Sequence, residues 1–161
     1  MYYRYLLIIT LLLAFGCKDN VIRIYDLKDY SPITELIQHT LPVTSLQFSP
    51  DGRYLLSGGR DAKLNIWNVG DYSLKESIVA HMFAVYDIKF HPSKPYFATS
   101  SRDKSIKIWD SELFKLQKVI SREKGMVAHS HSVNKICWEA STELLISVSD
   151  DTNVMAWAVE F

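Results

Sequence analysis

Histidine, serine and aspartate recur in this chain in an order that could serve nucleophilic catalysis. The first set is His39, Ser57 and Asp61. A hydrolase uses such side chains as base, nucleophile and orienting carboxylate, once per active centre and beside an oxyanion site. Two further sets follow at nearly the same spacing: His81, Thr99 and Asp103, then His129, Ser147 and Asp151. Repetition of this kind indicates a structural unit, so we predict that the chain is not an enzyme.

The repeated aspartates lie at a fixed distance before an aromatic residue. Asp19 precedes Tyr25 by six positions, and the three later aspartates precede Trp67, Trp109 and Trp157 by the same six. Successive aspartates are 42, 42 and 48 residues apart, the last interval being lengthened by a segment such as "REKGMV". Periods of about 40 to 45 residues are typical of four-stranded propeller blades.

Short alternating runs predict the strands that would carry these residues. "LQFS", "IKF" and "LNIW" alternate apolar and polar residues, which places one face of each strand against a core. "SPDGRY" and "HPSKPY" contain turn residues between such runs. We therefore predict an all-β fold. First strands are expected at 43–49, 85–91 and 133–139, second strands at 54–59, 96–101 and 143–148, third strands at 21–27, 63–69, 105–110 and 153–158, and fourth strands near 33–38, 74–80 and 115–120.

From about Leu12 to Phe161 these features resemble the WD-repeat (WD-40) family of β-propellers. "VTSLQFSPDG", residues 43–52, matches the first strand and turn of the family's blade. The resemblance implies four-stranded antiparallel blades, about three and a half of them, with an incomplete ring as one outcome. The expected segments are a partial blade at 12–38, blades at 39–80 and 81–120, and a last blade at 129–161 that lacks its fourth strand.

The resemblance also implies a role for the three repeated sets. In the family, the tryptophan, the serine or threonine, the histidine and the aspartate of a blade form one hydrogen-bonded chain. A buried polar chain of this kind must be fully satisfied and then specifies one packing. Two copies depart from the pattern: Phe15 stands where the first copy should have serine or threonine, and Ala158 follows Trp157 in place of an acid.

Loop residues are the expected partner-binding groups, because a rigid β scaffold displays such groups on its loops. By resemblance, the candidates are Lys18, Arg60, Arg102, Asp150, Thr40, Pro42, Met82, Ala84, Ser130 and Ser132. Three of them, on adjacent blades, would form a basic arc: Lys18, Arg60 and Arg102. This arc suits an acidic peptide, with Met82 and Phe83 as apolar anchors at its edge. The alternative, that these arginines are solvated residues of the ordinary repeat, stays open.

Other chemistry has little support in the sequence. His129, His131 and Cys137 do not have the spacing of a zinc site, and "SGGRD" lacks the lysine of a phosphate-binding loop. Eighteen basic and eighteen acidic residues leave no net charge, so nothing favours nucleic acid or an anionic membrane. We predict a non-catalytic scaffold without cofactor or metal, which binds a protein or peptide and either self-associates or pairs with a missing half.

The apolar segment 1–17, "MYYRYLLIITLLLAFGC", allows two interpretations. It is in register with the blades and would supply a strand of the first one; residues 2–10 could also complete the last blade. It also resembles a lipoprotein signal, in which Cys17 would be lipidated and the protein exported and anchored to a membrane. Two cysteines give no disulfide framework, which suits a reducing compartment. We expect a cytoplasmic protein and keep the exported form as the alternative.

Overall fold

The computed structural model describes the backbone of residues 5–9 and the backbone and side chains of residues 11–160. Strands of these residues form four antiparallel sheets, and no α-helix occurs among them. The predicted all-β class, with the antiparallel blades of a β-propeller, is thereby confirmed. The chain divides into two compact units, Met1–Val85 and Tyr86–Phe161.

The first unit contains two four-stranded sheets, which we name blades 1 and 2. Blade 1 consists of β1 (Tyr5–Ile9), β2 (Leu12–Gly16), β3 (Val21–Asp26) and β4 (Pro32–Ile37). Blade 2 consists of β5 (Val43–Phe48), β6 (Tyr54–Gly59), β7 (Lys63–Asn68) and β8 (Leu74–Val79). Each strand pairs with the next along the chain, so each blade is an antiparallel meander.

The second unit contains blade 3, with four strands, and blade 4, with three. Blade 3 consists of β9 (Val85–Phe90), β10 (Tyr96–Ser101), β11 (Ile106–Asp110) and β12 (Leu116–Ile120). Blade 4 consists of β13 (Val133–Trp138), β14 (Leu145–Ser149) and β15 (Val154–Trp157). A single turn of 3-10 helix, Arg122–Lys124, lies between β12 and β13.

Each unit has its own apolar core. In the first unit, Ile22 and Ile24 of β3 pack with Leu46 of β5 and Leu55 of β6, so the core joins blades 1 and 2. In the second unit, Ile106 and Ile108 of β11 pack in the same way with Val133, Ile136 and Leu145 of blade 4. Burial of this apolar surface, at roughly 25 cal/mol per Å², is the main force that holds neighbouring blades together.

Blade 1 has one more strand than the partial blade expected at residues 12–38. β1 pairs along its whole length with β2, from Tyr5 opposite Gly16 to Ile9 opposite Leu12. Residues 5–9 therefore belong to the first sheet. Their run of apolar residues shows no alternation, which is why its role could not be assigned from the pattern. Residues 1–4 and 10 of the same segment lie outside the described part of the chain.

Candidate functional site

The four repeated aspartates close the turn between the second and third strands of their blades. In each turn a carboxylate oxygen accepts the amide N–H two residues further on, at 3.0–3.3 Å. The residue between them has a positive φ, namely Asn20, Ala62, Lys104 and Thr152. A short carboxylate that bonds its own backbone in this way stabilises such a turn. The first role of each aspartate is therefore local.

In blade 2 the predicted hydrogen-bond chain is present and buried. The Trp67 Nε1–H donates to Ser57 Oγ at 3.0 Å, and the Ser57 hydroxyl lies 2.9 Å from His39 Nε2. His39 Nδ1 is 3.0 Å from both carboxylate oxygens of Asp61. A carboxylate can only accept, so Nδ1 carries the proton and Nε2 accepts from serine.

The Asp61 carboxylate has opposing influences on its pKa. Burial raises the pKa, whereas the hydrogen bonds from His39 and from the amides of Thr40 and Lys63 lower it. The hydrogen bonds outweigh burial, and the pKa of Asp61 lies below its ordinary value. Gly59 leaves room for this pair, because a Cβ at that position would lie 2.5 Å from Asp61 Oδ1 and His39 Nδ1. The turn is thus built around an ionised aspartate.

Blade 4 repeats this geometry. Trp157 donates to Ser147 Oγ at 2.8 Å, which lies 2.8 Å from His129 Nε2. His129 Nδ1 is 3.0 Å from Asp151 Oδ2, and the Ser130 amide donates to the same oxygen at 2.8 Å. Burial raises the pKa of Asp151, whereas hydrogen bonds from the amides of Ser130 and Asn153 and from the His129 ring lower it. The hydrogen bonds outweigh burial, so the pKa of Asp151 lies well below its ordinary value.

The remaining two copies lie in blades 3 and 1. In blade 3, Trp109 donates to Thr99 at 2.9 Å; His81 is buried at the end of the first unit, whereas Thr99, Asp103 and Trp109 belong to the second. In blade 1 an edge-to-face pair, Phe15 with Tyr25, replaces serine and tryptophan at 5.5 Å. Asp19 pairs there with Arg23 at 2.8 Å, and Arg23 also binds Glu35 at 2.9 Å. The hydrogen bond from Arg23 lowers the pKa of Asp19.

These contacts determine what the repeated sets can do chemically. Ser57 and Ser147 are 0% and 1% exposed, and each hydroxyl is held between a tryptophan and a histidine. A nucleophile needs an open path to its substrate and a nearby oxyanion site. Among residues 11–160 no group of three or more histidine, cysteine or acidic side chains could hold a metal ion. The sets of blades 2 and 4 therefore connect strands and turns within their blade.

The predicted partner-binding residues differ in accessibility. Lys18, Arg60, Arg102, Thr40 and Asp150 are exposed. Met82 is 79% and Phe83 54% exposed, whereas Ala84 is only 8% exposed and offers little surface. Pro42, Ser130 and Ser132 are half-buried.

Backbone hydrogen bonds bring several of these residues together within a unit. The Arg60 amide donates to the Pro42 carbonyl at 2.9 Å, and the Asp150 amide donates to the Ser132 carbonyl at 3.1 Å. Asn20 Nδ2 donates to the Thr40 carbonyl at 3.1 Å, so the turn of blade 1 reaches the loop before blade 2. Arg102 belongs to the second unit and Lys18 and Arg60 to the first. The proposed arc of all three remains a prediction.

Two features of the loops were not predicted from the sequence. Leu41 is 48% exposed in the loop before β5, at the repeat position of Phe83, so the 42-residue period could have identified it. The second feature is the first residue after β5, β9 and β13, which is Ser49, His91 or Glu139. Its side chain accepts backbone N–H groups of the following turn in all three blades. Because the three residue types differ, no motif marks this position.

The N-terminal alternatives concern Cys17. Its side chain is 3% exposed, and its amide donates to the Val21 carbonyl at 3.1 Å, directly after β2. Both cysteines are free thiols. Within the described residues, no helix has the length and apolar character needed to cross a membrane.

Comparison with known proteins gives a family-model match and several similar proteins. The family model "WD domain, G-beta repeat" matches residues 30–68, 72–110 and 121–158, which together exceed half of the chain. COMPASS component SWD1 of Saccharomyces cerevisiae is 42% identical over 52 residues, 30% of this chain and 12% of that protein. Elongator complex protein 2 of Schizosaccharomyces pombe is 42% identical over 52 residues, 29% of this chain and 7% of that protein.

A third relative, the WD repeat-containing protein 91 homolog of Dictyostelium discoideum, is 47% identical over 49 residues, 30% of this chain and 6% of that protein. The matched stretches thus cover 12% or less of the length of these relatives. The family-model matches agree with the repeats that the hydrogen-bonded sets define in the structure. The chain belongs to the WD-repeat family.

Proposed function

We propose that the protein is a non-catalytic scaffold that binds another protein through the loops at one end of its blades. The observation that carries this proposal is that the repeated serines and aspartates of blades 2 and 4 are already hydrogen-bonded inside the blades. Ser57 and Ser147 are buried between tryptophan and histidine, and Asp61 and Asp151 are bonded to histidine and to backbone amides. The accessible chemistry then lies on the loops, which is where a rigid β scaffold places its binding groups.

The names of the relatives support a binding role. Two of them are named as components of complexes, COMPASS and Elongator. Since the matched stretches cover only 12% and 7% of those proteins, the partners of this chain do not follow from the names. The coarser property, association with other proteins, is the one that we carry over.

The partner surface that we propose is the basic arc, Lys18, Arg60 and Arg102, with Met82 and Phe83 as apolar anchors. All three cations are exposed, and each stands one residue before the aspartate of its turn. An acidic peptide complements such a surface, and exposed aromatic and methionine side chains are frequent anchors in interfaces. Self-association of the chain, which the sequence also predicts, would be a second kind of protein–protein contact.

Peptide selection tests this proposal directly. A display library of random short peptides is selected on the immobilised chain and on the double variant Arg60→Glu, Arg102→Glu. We expect aspartate and glutamate to be enriched on the wild type, with affinity that falls as salt rises, and this enrichment to disappear on the variant. The matched control is Lys28→Glu with Lys115→Glu, which makes the same charge change. Both lysines are exposed and lie in turns between the third and fourth strands of their blades, at the other end of the third strand from Arg60 and Arg102. Equal enrichment on the arc variant, or no preference for acids, would overturn the arc.

We infer a cytoplasmic location rather than export through lipidated Cys17. Cleavage before Cys17 would remove β1 and β2, and the buried side chain of Cys17 leaves little room for an acyl chain. Two free cysteines also suit a reducing compartment. Mass spectrometry of the protein from its native cell tests this: an intact N-terminal segment with an unmodified Cys17 supports the inference, and an acylated N-terminal Cys17 contradicts it.

A further inference from the structure

The last repeat interval is longer than the others, and the extra residues build a cavity in the second unit. The segment after β12 forms the 3-10 turn Arg122–Lys124 and then reverses at Gly125, whose φ is 75°. The Arg122 Nε–H donates to the Ala128 carbonyl at 2.6 Å and fixes this segment. A cavity of about 230 Å³ lies between residues 103–104, 121–123 and 129–130; we name it the insertion cavity.

Most polar groups around the insertion cavity are already engaged. Asp103 Oδ1 accepts the amide and the hydroxyl of Ser105 at 3.0 and 2.5 Å. Both ring nitrogens of His129 serve the blade 4 set, and the Ser130 hydroxyl bonds the His131 ring at 2.9 Å. These groups therefore have little capacity left for a ligand.

The two cations of the cavity are different. Among the residues that the structure describes, the Lys104 ammonium has no ion pair, and only the Nε–H of Arg122 is used, which leaves its Nη groups. Glu123 lines the same cavity but pairs with neither cation within that part of the chain. The hydroxyl of Ser121, which is 8% exposed, makes no capping hydrogen bond to the 3-10 turn. Three residues that carry unused hydrogen-bond donors, Lys104, Ser121 and Arg122, thus line one cavity.

We propose that the insertion cavity binds a small anionic group, a carboxylate or a phosphate. Lys104 and the Arg122 Nη groups supply the charge, and the Ser121 hydroxyl supplies a further donor. The volume is below the roughly 300–1,000 Å³ of a drug-sized pocket, so it fits a single side-chain group or a small free anion. This site goes beyond the basic arc, because neither Arg60 nor Lys18 contributes to it.

Titration of the full-length, isotope-labelled chain tests the site. The probes are inorganic phosphate, for a free phosphate source, and the N-acetyl amide of glutamate, for a peptide carboxylate. With either probe we expect saturable shifts of the amide signals of Lys104, Ser121 and Glu123. Binding of phosphate alone assigns the site to phosphate, and binding of the glutamate probe alone assigns it to peptide carboxylates. No saturable shift with both would overturn the proposal.

Two variants give opposite expectations. Lys104→Ala should weaken binding about two- to fivefold, the usual effect of an exposed charge pair. It should fold normally, since Ala62 occupies the same position of blade 2 with φ 65°, close to the 72° of Lys104. Glu123→Gln removes the repelling charge and should strengthen binding by a similar factor. Misfolding cannot cause a gain, so unchanged or weaker binding in Glu123→Gln contradicts the site.

A third variant separates this site from the proposed function. Lys28→Ala makes the same charge change as Lys104→Ala in the other unit, and it should leave binding of both probes unchanged. Arg60→Glu, one of the two changes in the variant that should lose selection of acidic peptides, should also leave binding of both probes unchanged. Loss of anion binding in Lys28→Ala or Arg60→Glu would show that net charge, and not the insertion cavity, binds the probes.

Discussion

Among single residues, the buried serines of the hydrogen-bonded sets in blades 2 and 4 determine how strictly each blade is specified. Each of Ser57 and Ser147 accepts one hydrogen bond and donates another in a place that water does not reach. A hydrogen bond in such a place adds little net stability, whereas a buried group left without its partner costs about 1–3 kcal/mol. The sets therefore specify the blade chiefly by penalising every other arrangement of the same side chains.

Removal of one hydroxyl should show this penalty. Ser57→Ala leaves the Trp67 N–H and His39 Nε2 buried without a partner, so we expect a loss of about 2–4 kcal/mol in the free energy of unfolding. Ser57→Thr keeps the hydroxyl and should cost less than about 1 kcal/mol, because Thr99 serves Trp109 in the same way. Urea unfolding measures both. Equal losses for alanine and threonine would mean that packing, not hydrogen bonding, matters here.

The aspartates of the sets should govern stability in acid. The pKa of Asp61 is lowered in the folded chain, so the unfolded chain takes up the proton first as pH falls. The stability that Asp61 contributes is then complete above about pH 4 and is lost as the pH falls through the lower, folded pKa. Asp61→Asn should reduce stability at neutral pH but lose less of it between about pH 5 and pH 3. Unfolding midpoints across this range measure the difference, and parallel curves would contradict it.

At the scale of elements, one position after the first strand of a blade stabilises the following turn with three different side chains. Ser49 Oγ accepts the Tyr54 amide at 2.9 Å. His91 Nδ1 accepts two amides, from Ser93 and Lys94, at 3.2 and 3.1 Å. The Glu139 carboxylate accepts the amides of Ser141 and Thr142 at 3.1 and 2.6 Å. The Thr142 hydroxyl, at 2.6 Å, and then these amides lower the pKa of Glu139 to about 2.

His91 makes the turn of blade 3 sensitive to pH. Burial lowers its pKa, Glu143 raises it and Lys94 lowers it, with a net decrease. A proton on Nδ1 would also displace both amides. The stability of this turn is thus present above about pH 6.5, the ordinary histidine pKa, and is lost as the pH falls below it.

His91→Asn should show whether the pH sensitivity comes from protonation of the ring, because asparagine keeps a hydrogen-bond acceptor but does not titrate. The amide oxygen can still accept N–H groups, so we expect little change at about pH 7.5 and a smaller loss than the wild type on acidification to about pH 5. His91→Ala removes both the acceptor and the titration, so it should be less stable than the wild type at about pH 7.5 and should lose little more on acidification. Thermal unfolding across this range measures both variants. A wild-type acid slope in His91→Asn would contradict the role of the ring.

Most strand positions followed from the sequence, because period and alternation agreed. β6 and β10 lie at the predicted residues 54–59 and 96–101, and neither end of any other strand of blades 2 to 4 differs from its prediction by more than two residues. β1 could not be assigned, since a continuous apolar run looks alike in a strand and in a signal peptide. Two features could not be predicted, because they depend on contacts that no residue pattern records. They are the insertion cavity and the turn-stabilising residue after the first strand, which is Ser49, His91 or Glu139.

At the scale of the whole molecule, the outer strands of the blades differ in protection. An edge strand offers unpaired backbone groups to other chains, and charged residues or proline oppose such pairing. β4 has Pro32 and Glu35, β8 has Lys75 and Glu76, and β12 has Lys118. β15, the outer strand of blade 4 in the described part of the chain, reads "VMAW" and has neither. Its Val154 is 69% exposed.

We therefore expect the chain to associate through β15. Light scattering during size exclusion should give a mass above the 18.5 kDa of one chain, increasing with concentration. Val154→Lys should shift the mass toward a single chain without lowering the unfolding midpoint, because a charge at an exposed edge opposes pairing at little cost to its own sheet.

A matched variant tests whether β15 is the edge concerned. Val79, in β8, is 74% exposed on an outer strand that already contains Lys75 and Glu76. Val79→Lys should consequently leave the association unchanged, since that strand is already protected by its own charges. A monomeric wild type, or equal dissociation by both lysine variants, would mean that the unprotected edge of β15 does not bring chains together.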